Sequence, residues 1–511
     1  MAPPRTLREL KAAGSGPVTV KDEMRRNLLA MMRRNETLFP GIVGFEETVV
    51  PQIVQAILSR HDFILLGLRG QAKTRLLRGL VRFLDESIPA IEGCPINDSP
   101  FDPGCAPCQR LLKEKGDQVP IRWIGREERY REKLATPDVT MADLIGDIDP
   151  IKAASLRLEL SREEVIHYGI VPRTNRGVFA INELPDLQPR IQVGLLNILE
   201  ERDLQIRGFP VRIPLDILLV FSANPEDYTN RGNIITPLRD RIDSQIITHY
   251  PVKLEDGMAI TRQEAWQERG GEVEVRIPDW MREVVEAIAV RARASEFVDQ
   301  TSGVSARLPI TALENLISAA ERRGLLLGER RTWTRPCDLQ SALPAVTGKI
   351  ELVYEGEQEG PLRVGKRLIG EALRETFLRY FPDAYREGGG GKEAGSGPYR
   401  ALVEWFAKGN RVEVSDAMSA AEHFRALDQV PGLRSLVSQH LGGERPEELG
   451  PAMELVLEGL SWSSILSRDE LGRGASYGDL LKDMLKGMEG GAGRSRRRRR
   501  DVEEREEEEE P

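Results

Sequence analysis

Phe63-Ile64-Leu65-Leu66-Gly67-Leu68-Arg69-Gly70-Gln71-Ala72-Lys73-Thr74 is the stretch on which the reading of the chain turns. Its apolar run, without polar alternation, describes a strand buried on both faces, and the glycines after it describe a turn. Such a loop lets backbone N–H groups curl around a phosphate, lets Lys73 reach the β- and γ-phosphates, and offers the Thr74 hydroxyl to Mg²⁺. A helix expected over Arg75–Leu84 would point its positive end at the same place. Gly67, Gly70, Gln71, Ala72, Lys73, Thr74 and Leu76 are therefore the candidate nucleotide-binding residues. Ala72 stands where the general pattern has glycine, and its methyl group is tolerable if the local φ is negative. The plainer alternative is a chance glycine-rich turn before a helix.

Two more apolar runs read as buried strands, Gly177–Glu183 and Ile217–Asn224, with a helix over Gln188–Glu201 between them. Strands alternating with helices predict an α/β fold, a parallel sheet with helices on both faces. Nucleoside triphosphate hydrolysis needs a carboxylate near the metal and a group that polarises the attacking water. Glu183, at the end of its strand, suits the second task, and Asn182 occupies the place of the metal-supporting residue with a neutral oxygen. Asn224 is placed to position the water. In Pro237-Leu238-Arg239-Asp240-Arg241-Ile242, Arg241 is the first candidate, and Arg239 the second, for an arginine reaching a neighbouring subunit's γ-phosphate. The competing reading of that segment is a solvated ion-pair cluster with Asp240 and Asp243.

The order of these elements resembles the AAA+ subunit I of magnesium chelatase and its MoxR relatives, over roughly residues 36–350. The resemblance is carried by Phe39-Pro40-Gly41-Ile42-Val43-Gly44, Cys94-Pro95-Ile96-Asn97-Asp98, Asp143–Asp149, Gly169–Gly177, Asn224-Pro225 and Gly303-Val304-Ser305-Ala306-Arg307. It implies an ATPase using ATP and Mg²⁺ in a homo-oligomeric ring, a hexamer, with Arg241 contacting the nucleotide of the next subunit. It also implies that Arg307 faces the γ-phosphate, that a helical lid covers the nucleotide, and that a hairpin and helix are inserted around residues 120–172. Family members commonly work with a partner carrying a von Willebrand factor A domain. They remodel or mature a protein, in some cases during metal insertion. Two other functions share the fold: a magnesium chelatase motor subunit in tetrapyrrole biosynthesis, and a sigma-54-type transcription activator, whose Gly-Ala-Phe-Thr-Gly-Ala loop is not found here. The Ala-Lys-Thr of residues 72–74 is shared with MoxR relatives. Asn182 departs from the usual Asp and leaves two readings open: slow turnover, or a chain that binds ATP better than it turns it over.

Outward from this core, the expected organisation is an N-terminal extension at 1–35, mobile over 1–22; the nucleotide-binding core at 36–277; and the helical lid at 278–352. A linker region follows at 353–397, then a helical C-terminal domain at 398–487, a candidate for partner docking, and a disordered charged tail at 488–511. The formal net charge of −9 disfavours a general grip on nucleic acid. No signal peptide and no run of about 18 apolar residues is present, so a cytoplasmic protein without a membrane span is expected. The four cysteines are too few for a disulfide scaffold. Cys94, Cys105 and Cys108 leave two readings open: reduced thiols in a proline-rich loop, or a zinc site completed by Asp98, Asp102 or a distant histidine.

Overall fold

In the computed structural model the described residues are 3–157, 159, 162–205, 212–225, 233–384, 397–443, 445–472 and 474–482. They fall into two compact units, Met1–Val252 and Lys253–Pro511.

The first unit is built on a five-stranded sheet. Its strands are β1 (Phe63–Leu66), β2 (Tyr130–Leu134), β3 (Gly177–Asn182), β4 (Ile217–Ala223) and β5 (Ser244–Ile247). The order is β5-β1-β4-β3-β2 and every pairing is parallel. Successive side chains of a strand point to opposite faces. Accordingly Ile64, Phe179, Ile181, Leu219 and Phe221 enter one core, while Phe63, Leu65, Val178, Ala180, Leu218 and Val220 enter another. The second core is covered by α1 (Val20–Arg33), α2 (Val49–Leu58) and α3 (Lys73–Gly79), which contribute Leu28, Ile53, Leu76 and Leu77. The first is joined by α4 (Ala106–Lys115) through Cys108, and by the helical stretch Pro189–Glu200. A two-faced apolar sheet of this kind exposes only its strand ends, so polar chemistry collects there.

Buried charges lock this unit from below. Asp62, fully buried, accepts the Leu219 N–H at 2.8 Å and pairs with Lys21 at 3.0 Å and Arg202 at 2.6 Å. Arg129 grips Glu23 through two bonds of 2.7 Å. The N-terminal segment is part of this unit, against the expectation of mobility over 1–22. Leu7 and Leu10 are buried, Leu7 N–H donates to Val119 O at 3.1 Å, and Val20 N–H donates to the Asp216 carboxylate at 2.8 Å. Strands Gly146–Ile148 and Ile166–Tyr168 pair antiparallel and enclose the helix Pro150–Leu156.

The second unit is mainly helical, with α5 (Asp279–Ala294), α6 (Arg307–Leu327), α7 (Pro361–Tyr380) and α8 (Pro446–Trp462). One hydrophobic core runs from Ala265 through Leu313, Leu373 and Leu457 to Tyr477. Two expectations are corrected here. Part of the supposed linker is the 20-residue helix α7, which buries Val364, Leu368, Ala372, Leu373 and Phe377 along one stripe. The region 398–487 is not helical throughout, because Val412–Ser415, Leu466–Leu471 and Gly474–Asp479 form an antiparallel sheet. The Gly388–Gly391 segment and the charged tail at 488–511 lie outside the described residues.

Candidate active site

The strand order sets β1, β4 and β3 side by side, so their C-terminal ends form one ledge. The loop Gly67–Ala72 leaves β1 there and α3 begins at Lys73. Gly67 is required by close approach: a Cβ at this position would lie 2.0 Å from Thr248 Oγ1. Thr248 donates its hydroxyl to Gln71 Oε1 at 2.7 Å, its N–H donates to Leu66 O at 2.7 Å, and Tyr250 donates its hydroxyl to Arg69 O at 2.9 Å. The loop is thus pinned by residues just beyond β5. Gly70 has φ +75°.

Ala72 differs from expectation. Its φ is +54° and its ψ +16°, a left-handed conformation, so its methyl group sits where glycine is favoured. Leu76 also differs in its surroundings: its side chain is fully buried in the core beneath the sheet rather than facing the loop. Thr74 lies at the first turn of α3 and is half-buried.

The structure brings together Lys73, Asn224 and Glu183. The Lys73 ammonium donates to Gly67 O, to Leu68 O at 3.0 Å and to Asn224 Oδ1 at 2.7 Å. Asn224 Nδ2 in turn donates to Glu183 Oε2 at 2.9 Å. Cation, amide and carboxylate from the ends of three adjacent strands thus form one chain of hydrogen bonds. Glu183 has φ +55° and ψ +51°, a left-handed conformation rare for a residue with a Cβ. Ser222, missed in the sequence, supports this turn: its Oγ accepts the Glu183 N–H at 3.3 Å and donates to Asn182 Oδ1 at 3.1 Å. The oxygen that Asn182 would offer a metal is therefore already a hydrogen-bond acceptor within the sheet.

The three candidate arginines differ in their surroundings. Arg241 ends the helix Thr236–Arg241, where it pairs with Glu200 at 2.6 Å and donates to Pro237 O at 2.9 Å. Its ion pair is thus with Glu200, rather than with the sequence neighbours Asp240 and Asp243. Arg239 is exposed. Arg307 belongs to the second unit, opens α6 and is exposed; its N–H donates to Ser305 Oγ at 3.1 Å.

A glycine loop on a parallel sheet of order 5-1-4-3-2, with a carboxylate ending β3 and an amide ending β4, is the arrangement of an AAA+ α/β fold. No protein-family model matches the chain. It is 27% identical over 233 residues to the magnesium-chelatase 38 kDa subunit of Cereibacter sphaeroides, covering 45% of this chain and 64% of that one. It is 28% identical over 205 residues to the magnesium-chelatase 67 kDa subunit of Heliobacterium mobile, covering 39% of this chain and 29% of that one. The chain therefore spans less than two thirds of either relative. Among solved structures, the complex between subunits BchI and BchD of magnesium chelatase aligns at 20% identity over 63% of this chain and 98% of that one, with a TM-score of 0.33. The chain is thus similar to AAA+ subunits of magnesium chelatase over less than half of its own length. No helix among the described residues is long and apolar enough to cross a membrane.

Proposed function

We propose that this protein binds ATP with Mg²⁺ on the ledge at the ends of β1, β3 and β4, hydrolyses it, and uses the cycle to remodel or mature a protein partner. The observation that carries the reading is the hydrogen-bonded series Lys73–Asn224–Glu183. An ammonium held against a glycine loop suits a polyphosphate, and a carboxylate joined to it through one amide suits a water beside that polyphosphate. In the reaction Lys73 holds the β- and γ-phosphates, Asn224 positions the attacking water, and Glu183 accepts its proton. The residues fit a magnesium ion through the Thr74 hydroxyl, with Asn182 as a neutral supporter. Bound there, the ion would neutralise phosphate charge. The bond that the Asn182 oxygen accepts from Ser222 would compete with the ion for it, which favours the reading of a slow ATPase.

In this reading the chain works as a homo-oligomeric ring, a hexamer, in the cytoplasm. Arg241 exchanges Glu200 for the γ-phosphate of the adjoining subunit. The partner carries a von Willebrand factor A domain. A second reading, a magnesium chelatase motor subunit, is favoured by the names of the relatives. The replacement of the usual Asp by Asn182 stands against it. The test is phosphate release from ATP by the native protein, Lys73→Ala and Glu183→Gln. Release by the native protein alone supports the site, and equal release by all three contradicts it. Sizing with and without ATP tests the ring.

A further inference from the structure

On the face of the sheet opposite α1, α2 and α3, three thiols and one carboxylate converge. Cys94 and Asp98 lie in the loop after the strand Ser87–Ile91, while Cys105 caps α4 and Cys108 lies in its first turn. One ligand atom from each of the four lies within 4.8 Å of all the others, and all four residues are buried, Asp98 to 1% exposure. We propose that Cys94, Asp98, Cys105 and Cys108 form a binding site for a single zinc ion. The inference is independent of the nucleotide site.

Local structure prepares these residues for that role. The loop closes on itself through Ile91 N–H to Asp98 O at 3.0 Å and Cys94 N–H to Ile91 O at 3.2 Å. Asn97 takes a left-handed φ of +56°, which turns the chain so that Asp98 returns toward Cys94. Asp98 N–H then donates to Cys94 Sγ at 3.4 Å, the kind of bond that stabilises a thiolate ligand. Asp98 Oδ2 accepts the Cys105 N–H at 2.9 Å, which joins the loop to the start of the ten-residue α4. Positions three apart on a helix share a face, so Cys105 and Cys108 present their sulfurs together.

The size of the cluster selects the ligand. Four donors around tetrahedral zinc, with Zn–S near 2.3 Å, stand about 3.8 Å apart, close to the spacing available here. An iron–sulfur cluster interposes several atoms and needs its cysteines wider apart. Three thiols alone would pass as apolar core. A carboxylate aimed among them would not, since burying it without a cation is costly. Zinc binding displaces the thiol protons to solvent and leaves the carboxylate and three thiolates around a dication. The result is a staple between the 91–98 loop and α4.

The test uses the full chain, produced with zinc and purified without a metal-affinity step, its metal content read by mass spectrometry. About one zinc per chain is expected, retained by Cys337→Ser and reduced below about 0.2 by Cys105→Ser and Cys108→Ser. Since a ligand variant that unfolded would also lose zinc, the wild-type chain is stripped by chelator and titrated with Co²⁺. Thiolate-to-cobalt charge-transfer absorption saturating at about one equivalent, and abolished by added Zn²⁺, is expected. Any of three results overturns the assignment: a zinc-grown chain that lacks the metal and gives no cobalt absorption, iron in place of zinc, or a disulfide among the three cysteines.

Discussion

The Lys73–Asn224–Glu183 network of the first unit and the Arg323–Asp338 network of the second both gather charge, but they meet solvent differently. Asn224 and Glu183 are half-exposed at strand ends, whereas Arg323 and Asp338 are each 1% exposed. The second network turns inward. Arg323 bonds Asp338 and donates to Trp333 O at 2.5 Å, and Asp338 also accepts the Arg335 N–H at 2.8 Å. Beside it, His423 and Glu454 share a bond of 2.8 Å with neither ring nor carboxylate exposed beyond 1%. The first network can exchange its internal bonds for those of a ligand; the second can only hold its fold. Charge density alone does not mark a site, and access decides.

The largest effect that would break this contrast lies in the open network. Lys73→Ala and Glu183→Gln should each lower ATP turnover by about 100-fold or more, with thermal stability close to that of the native protein. In the sealed network the pattern should invert. Asp338→Ala leaves Arg323 buried without its partner and should cost the second unit about 3–5 kcal/mol in chemical denaturation. A smaller effect concerns pH. Burial pushes Glu454 up to about 7, although the nearby Arg335 and Arg323 pull it down. A raised folded value means that its stabilisation is complete below the ordinary carboxylate range and is lost as pH rises through about 7. Glu454→Gln should therefore gain on the native protein between pH 5 and pH 8, by on the order of 1–3 kcal/mol. The smallest effect sharpens the loop. Ala72→Gly relieves about 1–2 kcal/mol of left-handed strain but adds freedom to the unfolded chain worth about 0.4–1 kcal/mol. The net gain, read as a melting-temperature shift, should be under about 2 kcal/mol.

Legibility in the sequence followed burial. β1, β3 and β4 could be read because central strands covered on both faces are written as continuous apolar runs. The edge strands could not. β2 reads Tyr-Arg-Glu-Lys-Leu and β5 reads Ser-Gln-Ile-Ile, since an edge tolerates and even favours charge. Missing β5 meant missing Thr248 and Tyr250, which pin the phosphate-type loop. Helix α7 was hidden by its own glycines. Gly370 is there because a Cβ would lie 1.8 Å from the Trp462 ring, a tertiary reason that local propensity does not reveal. Within the site, Lys73, Asn224 and Glu183 were legible as residue types at strand ends. The left-handed turns at Ala72 and Glu183, and the bridging hydroxyl of Ser222, were not, because they depend on neighbours brought close only by the sheet.

Binding of Mg²⁺-ATP measured by calorimetry, on the native protein and on Lys73→Ala, addresses the central claim most directly. Saturable binding of one nucleotide per site by the native protein, weakened at least about tenfold in Lys73→Ala, is the predicted result. No heat of binding from the native protein, or equal affinity in the variant, would contradict it.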